Sequence, residues 1–272
     1  MSDFDYAGHI ALSAHKALLY EALTAPKPGL VDRFDSGAHS DMDIFTFVDS
    51  AESLLPYFYR CACAGIEHGT ADAALFKTLR AYGLEAERDM FEATCGVNTH
   101  KGAILSLGII CAAAGALGSG ASSDDICLAA GKIAQPLLDD FKHIDPKDPS
   151  YGERQYLEKG RTGIRGEAAS GFPQVCKLAL PYFRDLLESG LNMNDAALLV
   201  LARLILTTDD TTLIKRCGEE NLPEVRKQIA SVLLCEDMKN ELSILNNDWS
   251  ESGISAGGCA DLLGITLFFI IL

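Results

Sequence analysis

The amino-acid sequence predicts an all-α fold: a single multi-helix, bundle-like domain over residues 1–272, with its active site at helix-junction loops. Long segments repeat apolar residues at helical spacing, and no segment alternates apolar and polar residues as a strand or hairpin would. Hydrophobic residues make up 48% of the 272 residues, enough for a sizeable core. No internal repeat, low-complexity tract or linker marks a domain boundary.

The first helix is predicted over residues 5–23, because one helical stripe carries Ile10, Ala14, Ala17, Leu18 and Glu21. Glu21 therefore ends an apolar face beside a long polar loop, Thr24–Asp43. Ser40 or Asp41 can cap the second helix, which Pro56 is expected to kink or end.

Further helices follow in order. They are predicted over residues 70–92, 100–117, 122–143, 167–190, 194–206, from Pro223 onward, 235–245 and 257–272. Thr70 and Asn194 are the predicted caps of the helices that begin with them, and 100–117 is expected to be buried. Irregularities are expected at Gly171 and Pro173. The segments 143–166 and TTDDTT are predicted to be polar breaks. Several of these junctions can meet at one end of a helical bundle.

The composition excludes some partners. A net charge of −15 argues against non-specific binding to nucleic acid or anionic membranes, and no apolar segment reaches the length of a bilayer span. The acidic N-terminus has no signal peptide, and the nine cysteines show no zinc spacing, so we expect a cytoplasmic protein with reduced thiols. The C-terminal ITLFFIIL is expected to be buried, within the domain or in a homodimer.

The loop Thr24–Asp43 is the first candidate site segment. A structureless loop of this length is typically functional or disordered, and its mixture of apolar residues with both charge signs favours function. Its chemically useful side chains are Lys27, Asp32, Arg33, His39, Asp41 and Asp43.

Two later junctions carry groups that suit an anion. Asn98-Thr99-His100-Lys101 precedes a helix, whose free N–H groups attract negative charge; capping explains Asn98 and Thr99 equally well. The segment RTGIRGE combines Arg161 and Arg165, which can bind phosphate bidentately, with Glu167. A solvated basic loop is the alternative there.

Acidic residues at the junctions could bind a hard cation such as Mg²⁺, which takes one or two carboxylates together with phosphate oxygens. The candidates are Asp41, Asp43, Asp209, Asp210 and Asp261. Each pair could instead cap a helix. Asp261 is the most informative, because it carries the only charge between Gly253 and the C-terminus and a buried aspartate needs a partner. Walker, GxGxxG, GxSxG and HExxH motifs are missing.

Five segments, PKPGLVDR, GAHSDMD, GVNTHKGAILSLG, RGEAASGFP and GGCADLL, resemble the triphosphoribosyl-dephospho-CoA synthases in order and approximate spacing, over essentially the whole chain. The resemblance implies transfer of the 5-triphosphoribosyl group of ATP to the 2′-hydroxyl of 3′-dephospho-CoA, with release of adenine and inversion at the sugar carbon. The product would pass to a carrier-protein transferase as prosthetic-group precursor for citrate lyase or malonate decarboxylase, between which the sequence does not decide.

That reaction suggests roles for the candidate residues. A carboxylate would activate the hydroxyl, with Glu21, Asp32, Asp43 and Glu167 as candidates. His39 or His100 would protonate or hydrogen-bond the leaving adenine. Mg²⁺, held by the five aspartates, would bind the triphosphate. The phosphates would be cradled by Lys27, Arg33, Lys101, Arg161 and Arg165, with Asn98 and Thr99.

Two other functions stay open from the sequence. A Mg²⁺-dependent N-glycosidic hydrolase of the ADP-ribosyl hydrolase type would use the same acidic pairs. A catalytically inactive nucleotide-binding member is the second, because Cys95 and Cys259 stand where the family usually has glycine and serine. Release of adenine that depends on dephospho-CoA distinguishes the transferase from both.

Overall fold

The computed structural model describes residues 3–272, with side chains from Asp5 onward, and these residues form helices and no strands. The α-helices are α1 Asp3–Leu23, α2 Ile44–His68, α3 Ala73–Ala93, α4 Lys101–Leu117, α5 Ser123–Ala134, α6 Tyr151–Lys159, α7 Gly163–Ala169, α8 Leu180–Glu188, α9 Met193–Thr207, α10 Thr211–Cys217, α11 Leu222–Val232, α12 Met238–Ser252 and α13 Gly257–Ile271. A 3₁₀ helix, Gln135–His143, follows α5, and a π-helix, Gln174–Ala179, precedes α8. The predicted all-α class is confirmed.

The centre of the fold is α4, which is apolar around its whole circumference and packs directly on α2. Small residues permit this contact: a Cβ on Gly65 would lie 2.0 Å from the carbonyl oxygen of Ala112, and one on Gly115 would lie 2.3 Å from that of Ala62. The two backbones therefore touch, as the Ala- and Gly-rich sequence of α4 predicts.

The C-terminal helix α13 is buried against α1 and α9. The apolar C-terminus is thus covered within the chain itself. Among the residues the structure describes, no helix has the length and apolarity needed to cross a bilayer.

Several predicted boundaries were wrong. Pro56 does not end α2, which continues to His68 because its buried face continues through Phe58 and Cys61. The polar loop 143–166 contains α6, whose N-terminus is closed by a capping box of Ser150 and Glu153. The cap of α2 is Asp43 and not Ser40 or Asp41. The cap of α3 is Asp72 and not Thr70, and the cap of α9 is Asn192 and not Asn194.

The predicted irregularity around Gly171 and Pro173 is confirmed. Gly171 and Phe172 both have positive φ, at 78° and 53°, and the π-helix starts at Gln174, directly after Pro173. Nearby, the sulfur atoms of Cys127 in α5 and Cys176 in the π-helix lie next to each other. The other seven cysteines are free.

The loop Thr24–Asp43 is ordered, so the alternative of disorder was wrong. The N–H of Gly29 donates to the side-chain oxygen of Asn246 at 2.8 Å, and the amide nitrogen of Asn246 donates to Asp35 at 2.8 Å. Gly29 has a φ of 67°, and a Cβ there would lie 1.9 Å from the carbonyl oxygen of Ile254. Only glycine fits this contact, which holds the loop against the end of α12.

Candidate active site

The helix junctions meet in one cleft of about 1150 Å³. Its walls come from the loop Thr24–Asp43, the start of α4, the α6–α7 connection, the α9–α10 connection and the start of α13. The predicted residues that line it are Glu21, His39, Asp41, Asn98, Thr99, His100, Lys101, Arg161, Glu167, Asp209, Asp210 and Asp261. Five other predicted residues, Lys27, Asp32, Arg33, Asp43 and Arg165, do not line it.

Lys27 lies inside the protein and does not line the cleft. Its side chain is 1% exposed, and its Nζ donates to Oε1 of Glu21 at 2.5 Å and to the carbonyl oxygen of Glu21 at 2.6 Å. Asp32 is also used by the loop: its carboxylate accepts the backbone N–H groups of Lys27 at 2.9 Å and Phe34 at 2.7 Å. Both side chains therefore shape the loop that forms one wall of the cleft.

Two of the predicted metal-binding acids are helix caps. Asp43 is exposed and accepts the N–H and hydroxyl of Thr46, both at 2.9 Å, which lowers its pKa. Asp210 is buried and accepts the N–H groups of Thr212, Leu213 and Cys259 at 2.8 to 3.1 Å. Among the described residues, no group of three or more His, Cys, Asp or Glu side chains is arranged to hold a metal ion. The five aspartates thus do not form one cluster.

Two arginines also lie elsewhere. Arg33 is exposed, with its guanidinium 5.0 Å from the centre of the Phe34 ring. Arg165 lines an adjoining pocket, where it lies 3.9 Å from a carboxylate oxygen of Asp140.

Asp261 extends into the cleft at the start of α4. Gly102 leaves room for it, because a Cβ there would lie 1.9 Å from Oδ2 of Asp261. The backbone N–H of Ala103 donates to the carboxylate. Burial and the neighbouring carboxylates of Glu21 and Asp210 raise the pKa of Asp261 well above its ordinary value. This wall therefore places carboxyl groups close together, and a bound cation would favour their ionised forms.

His100 is neutral and has one unused ring nitrogen. It is 3% exposed, and burial together with the charge of Lys27 lowers its pKa to about 3. Its Nδ1 lies 2.7 Å from Oγ of Ser50, while its buried Nε2 has no hydrogen-bond partner among the residues that the structure describes. The prediction that Asn98 or Thr99 caps α4 was wrong, because His100 holds the cap position and the hydroxyl of Thr99 donates to Ser50 at 2.6 Å.

The hydrogen bonds around Ser50 favour one tautomer of His100. Ser50 is fully buried, and with its hydroxyl accepting from Thr99, its own hydrogen is directed to Nδ1 of His100. The ring proton then lies on Nε2. His100 thus presents an unpaired N–H donor, and no sequence signal linked it to Ser50.

Glu167 is a second titratable group in the cleft whose pKa is shifted from its ordinary value. Burial raises its pKa to about 7, although the N–H of Gln174 donates to it at 2.7 Å. A carboxyl group with this pKa can exchange protons near neutral pH.

His39 lies at the edge of the cleft, with Nε2 3.2 Å from Oγ of Ser255 and Nδ1 3.5 Å from Arg216. Its pKa is lowered by burial and by the charge of Arg216, and Asp41 opposes both. Ser255 and Arg216 were not predicted.

Four cationic side chains line the cleft: Lys101, Lys159, Arg161 and Arg216. Arg161 is held by Gln155 at 2.8 Å and by Glu219 at 2.9 Å. Lys101 pairs with Glu87 at 2.8 Å and keeps about half of its side chain exposed, with a value of 54%. Lys159 was not predicted, since it belongs to the unforeseen helix α6. These cations and the acidic wall face one cavity, which suits a polyphosphate with a bound cation.

Comparison with known proteins gives the same family over nearly the whole chain. Residues 7–272 match the family model of ATP:dephospho-CoA triphosphoribosyl transferase. A Lactiplantibacillus plantarum protein named probable 2-(5″-triphosphoribosyl)-3′-dephosphocoenzyme-A synthase is 40% identical over 265 residues, 94% of each chain. A Vibrio cholerae protein of the same name is 38% identical over 270 residues, 95% of this chain and 85% of its own.

A solved structure supports the fold. The crystal structure of an Archaeoglobus fulgidus protein assigned as a triphosphoribosyl-dephospho-coA synthase superimposes with a TM-score of 0.54 at 18% identity. The match covers 81% of this chain and 95% of the other.

Proposed function

Because this chain belongs to the ATP:dephospho-CoA triphosphoribosyl transferase family, we propose that its cleft transfers the 5-triphosphoribosyl group of ATP to 3′-dephospho-CoA. The bond from the ribose C1′ of ATP to adenine N9 breaks, and a bond from C1′ to the 2′-hydroxyl oxygen of dephospho-CoA forms with inversion. The hydroxyl proton leaves that oxygen, and adenine gains one proton. The comparisons give no support to the hydrolase or the inactive member.

One observation carries the chemical assignment: Glu167, with a pKa of about 7, and neutral His100, with a free Nε2–H, line the same cleft. Environments that separate titratable groups in this way mark acid–base roles. Glu167 accepts the proton of the attacking hydroxyl. His100 donates a hydrogen bond to a ring nitrogen of adenine as negative charge develops there; a pKa of about 3 makes it a donor of a hydrogen bond and not of a proton.

Mg²⁺ fits the acidic wall with one or two protein ligands, and phosphate oxygens would complete its coordination. Asp261 is the best candidate, because its carboxylate is deep in the cleft and accepts only the Ala103 N–H of the backbone. Asp41 and Asp209 also line the cleft without serving as caps. When bound, the metal would neutralise triphosphate charge. Lys101, Lys159, Arg161 and Arg216 would hold the remaining phosphate oxygens.

We place the enzyme in the cytoplasm, where the product would serve a carrier-protein transferase of the citrate lyase or malonate decarboxylase type. Helix α13 is largely buried within the chain, with its last residues partly exposed, and a homodimer stays a prediction.

The reaction predicts its own products. With ATP, Mg²⁺ and dephospho-CoA, the protein should release adenine and form a conjugate whose mass is that of dephospho-CoA plus a triphosphoribosyl group. Chromatography and mass spectrometry measure both. Reactions without dephospho-CoA are the control, and adenine release there would indicate hydrolysis. Release of phosphate or pyrophosphate in place of adenine would exclude the transfer.

Ser50 offers a test of the His100 assignment. In Ser50→Ala, Nδ1 loses its donor and the ring proton redistributes, so we expect kcat to fall about tenfold or more while KM for ATP changes little. NMR of the ring nitrogens should show the tautomer change. Ser106→Ala is the matched control, because the Ser106 hydroxyl is buried but bonds only to carbonyls of its own helix. An unchanged tautomer with full activity in Ser50→Ala would remove this role from His100.

A further inference from the structure

A second pocket opens from the cleft. It has a volume of about 470 Å³ and lies among α3, α4, α7 and the 3₁₀ helix Gln135–His143. Lys101, Gly102, Thr162, Gly163, Ile164 and Thr211 line both cavities. The pocket is therefore a side arm of the cleft, joined to it at the starts of α4 and α7.

The side pocket differs from the cleft in chemistry. Its walls are mainly aliphatic and aromatic, with Leu79, Leu84, Ile104, Ile109, Leu137 and Phe141 among them. Its five charged side chains are paired with one another: Arg80 and Arg165 share the carboxylate of Asp140, and Lys101 pairs with Glu87. The Arg165 guanidinium lies 5.4 Å from the centre of the Phe141 ring. Such a pocket suits a narrow, largely apolar chain that carries an anionic group only at the end facing the cleft.

Gly83 keeps this pocket open. It lies in the middle of α3, where glycine is less favourable than alanine, and its φ is not positive. A Cβ there would make ordinary contacts, 3.7 Å from the hydroxyl of Tyr57 and 3.8 Å from Cγ2 of Ile104. Neither backbone geometry nor a close neighbour requires glycine. Its missing side chain instead leaves space between Tyr57 and Ile104, which both line the pocket.

We propose that the side pocket binds the pantetheine arm of dephospho-CoA; this rests on the proposed function. The arm is a narrow chain of methylene and methyl-bearing carbons with two amides, one hydroxyl and a terminal thiol, and its other end is joined to the diphosphate. With the arm in the pocket, the diphosphate lies at the junction, where Lys101 lines both cavities and Arg165 stands just inside. The adenosine of dephospho-CoA then extends into the cleft, where its ribose hydroxyl meets ATP. This explains why Arg165 lies beside the cleft and not in it.

Gly83→Leu tests the proposal, because the leucine side chain fills the pocket without touching the cleft. We expect KM for dephospho-CoA to rise about tenfold or more, since several methylenes lose their contacts. KM for ATP should stay within about twofold. Gly8→Leu is the matched control: Gly8 also lies within a long helix, α1, and a Cβ there meets no atom within 4 Å.

A binding measurement does not depend on a substitution. In the wild-type enzyme, 4′-phosphopantetheine should inhibit competitively against dephospho-CoA and not against ATP. Leu84→Asp, at an exposed position on the pocket edge, should weaken this inhibition even if Gly83→Leu fails to fold. Competition against ATP, or unchanged KM and inhibition in the folded variants, would overturn the pocket assignment. A wild-type enzyme that releases no adenine would instead overturn the proposed function.

Discussion

The Asp261→Asn variant is expected to release adenine at least about 100-fold more slowly than the wild type, because the acidic wall loses its proposed cation ligand. The substitution keeps the shape of the side chain, and the asparagine oxygen can still accept the Ala103 N–H. It also removes one of three neighbouring carboxyl groups, Glu21 and Asp210 being the others. Folding should therefore be unaffected, and the loss should appear in activity and in ligand binding.

Two measurements separate these effects for Asp261→Asn. Adenine release gives the activity, and thermal unfolding with and without Mg²⁺ and ATP gives the binding, since a ligand of the folded state raises the melting temperature. Asp43→Asn is the matched control: it makes the same chemical change at an exposed helix cap outside the cleft, and asparagine caps helices as well as aspartate does. Full activity of Asp261→Asn, or an equal loss in both variants, would contradict the assignment.

The fold was predictable where periodicity and composition act locally. The apolar sequence of α4 indicated a buried helix, and it is the helix at the centre of the domain. Helix α6 was missed because it is short and polar, and its Ser150–Glu153 capping box stood among prolines and glycines. Pro56 does not end α2, because burial of the apolar face beyond it stabilises the helix by more than the loss of one backbone hydrogen bond destabilises it.

The site was predictable as a set of segments but not as a set of side chains. Every predicted junction contributes to the cleft, yet Lys27 and Asp43 belong to the right segment and turn away from it. The direction of a side chain in a loop depends on its tertiary contacts. Lys27, for example, points to Glu21 only once the loop has folded against α1. No pattern in the sequence pointed to Ser50, because its hydrogen bond to His100 joins residues that are 50 positions apart in the chain.

Glu167→Gln is expected to lose activity and gain stability. Removal of the proposed general base should lower kcat by about 10²- to 10⁴-fold. In the wild type, kcat/KM for dephospho-CoA should rise with pH and level off above about 7, as the carboxyl group of Glu167 loses its proton. The pH profile of the variant should not show this rise. A pH profile of adenine release, with exposed Glu188→Gln as the control, measures both effects.

The gain in stability follows from the same raised pKa of Glu167. The carboxyl group titrates at about 7 in the folded protein and near 4.5 in the unfolded chain, so the folded state binds more protons between these values. The free energy of unfolding of the wild type therefore falls as pH rises through this window and stays lower above it. Glutamine does not titrate and can still accept the Gln174 N–H, so Glu167→Gln should be more stable by about 1–2 kcal/mol at pH 8, or about 2–6 °C in melting temperature. At pH 4 the two proteins should unfold alike. Equal stability of the two proteins at pH 8 would mean that folding does not raise the pKa of Glu167. A carboxyl group with an ordinary pKa would not take up a proton at neutral pH, and this result would contradict the proposed role as general base.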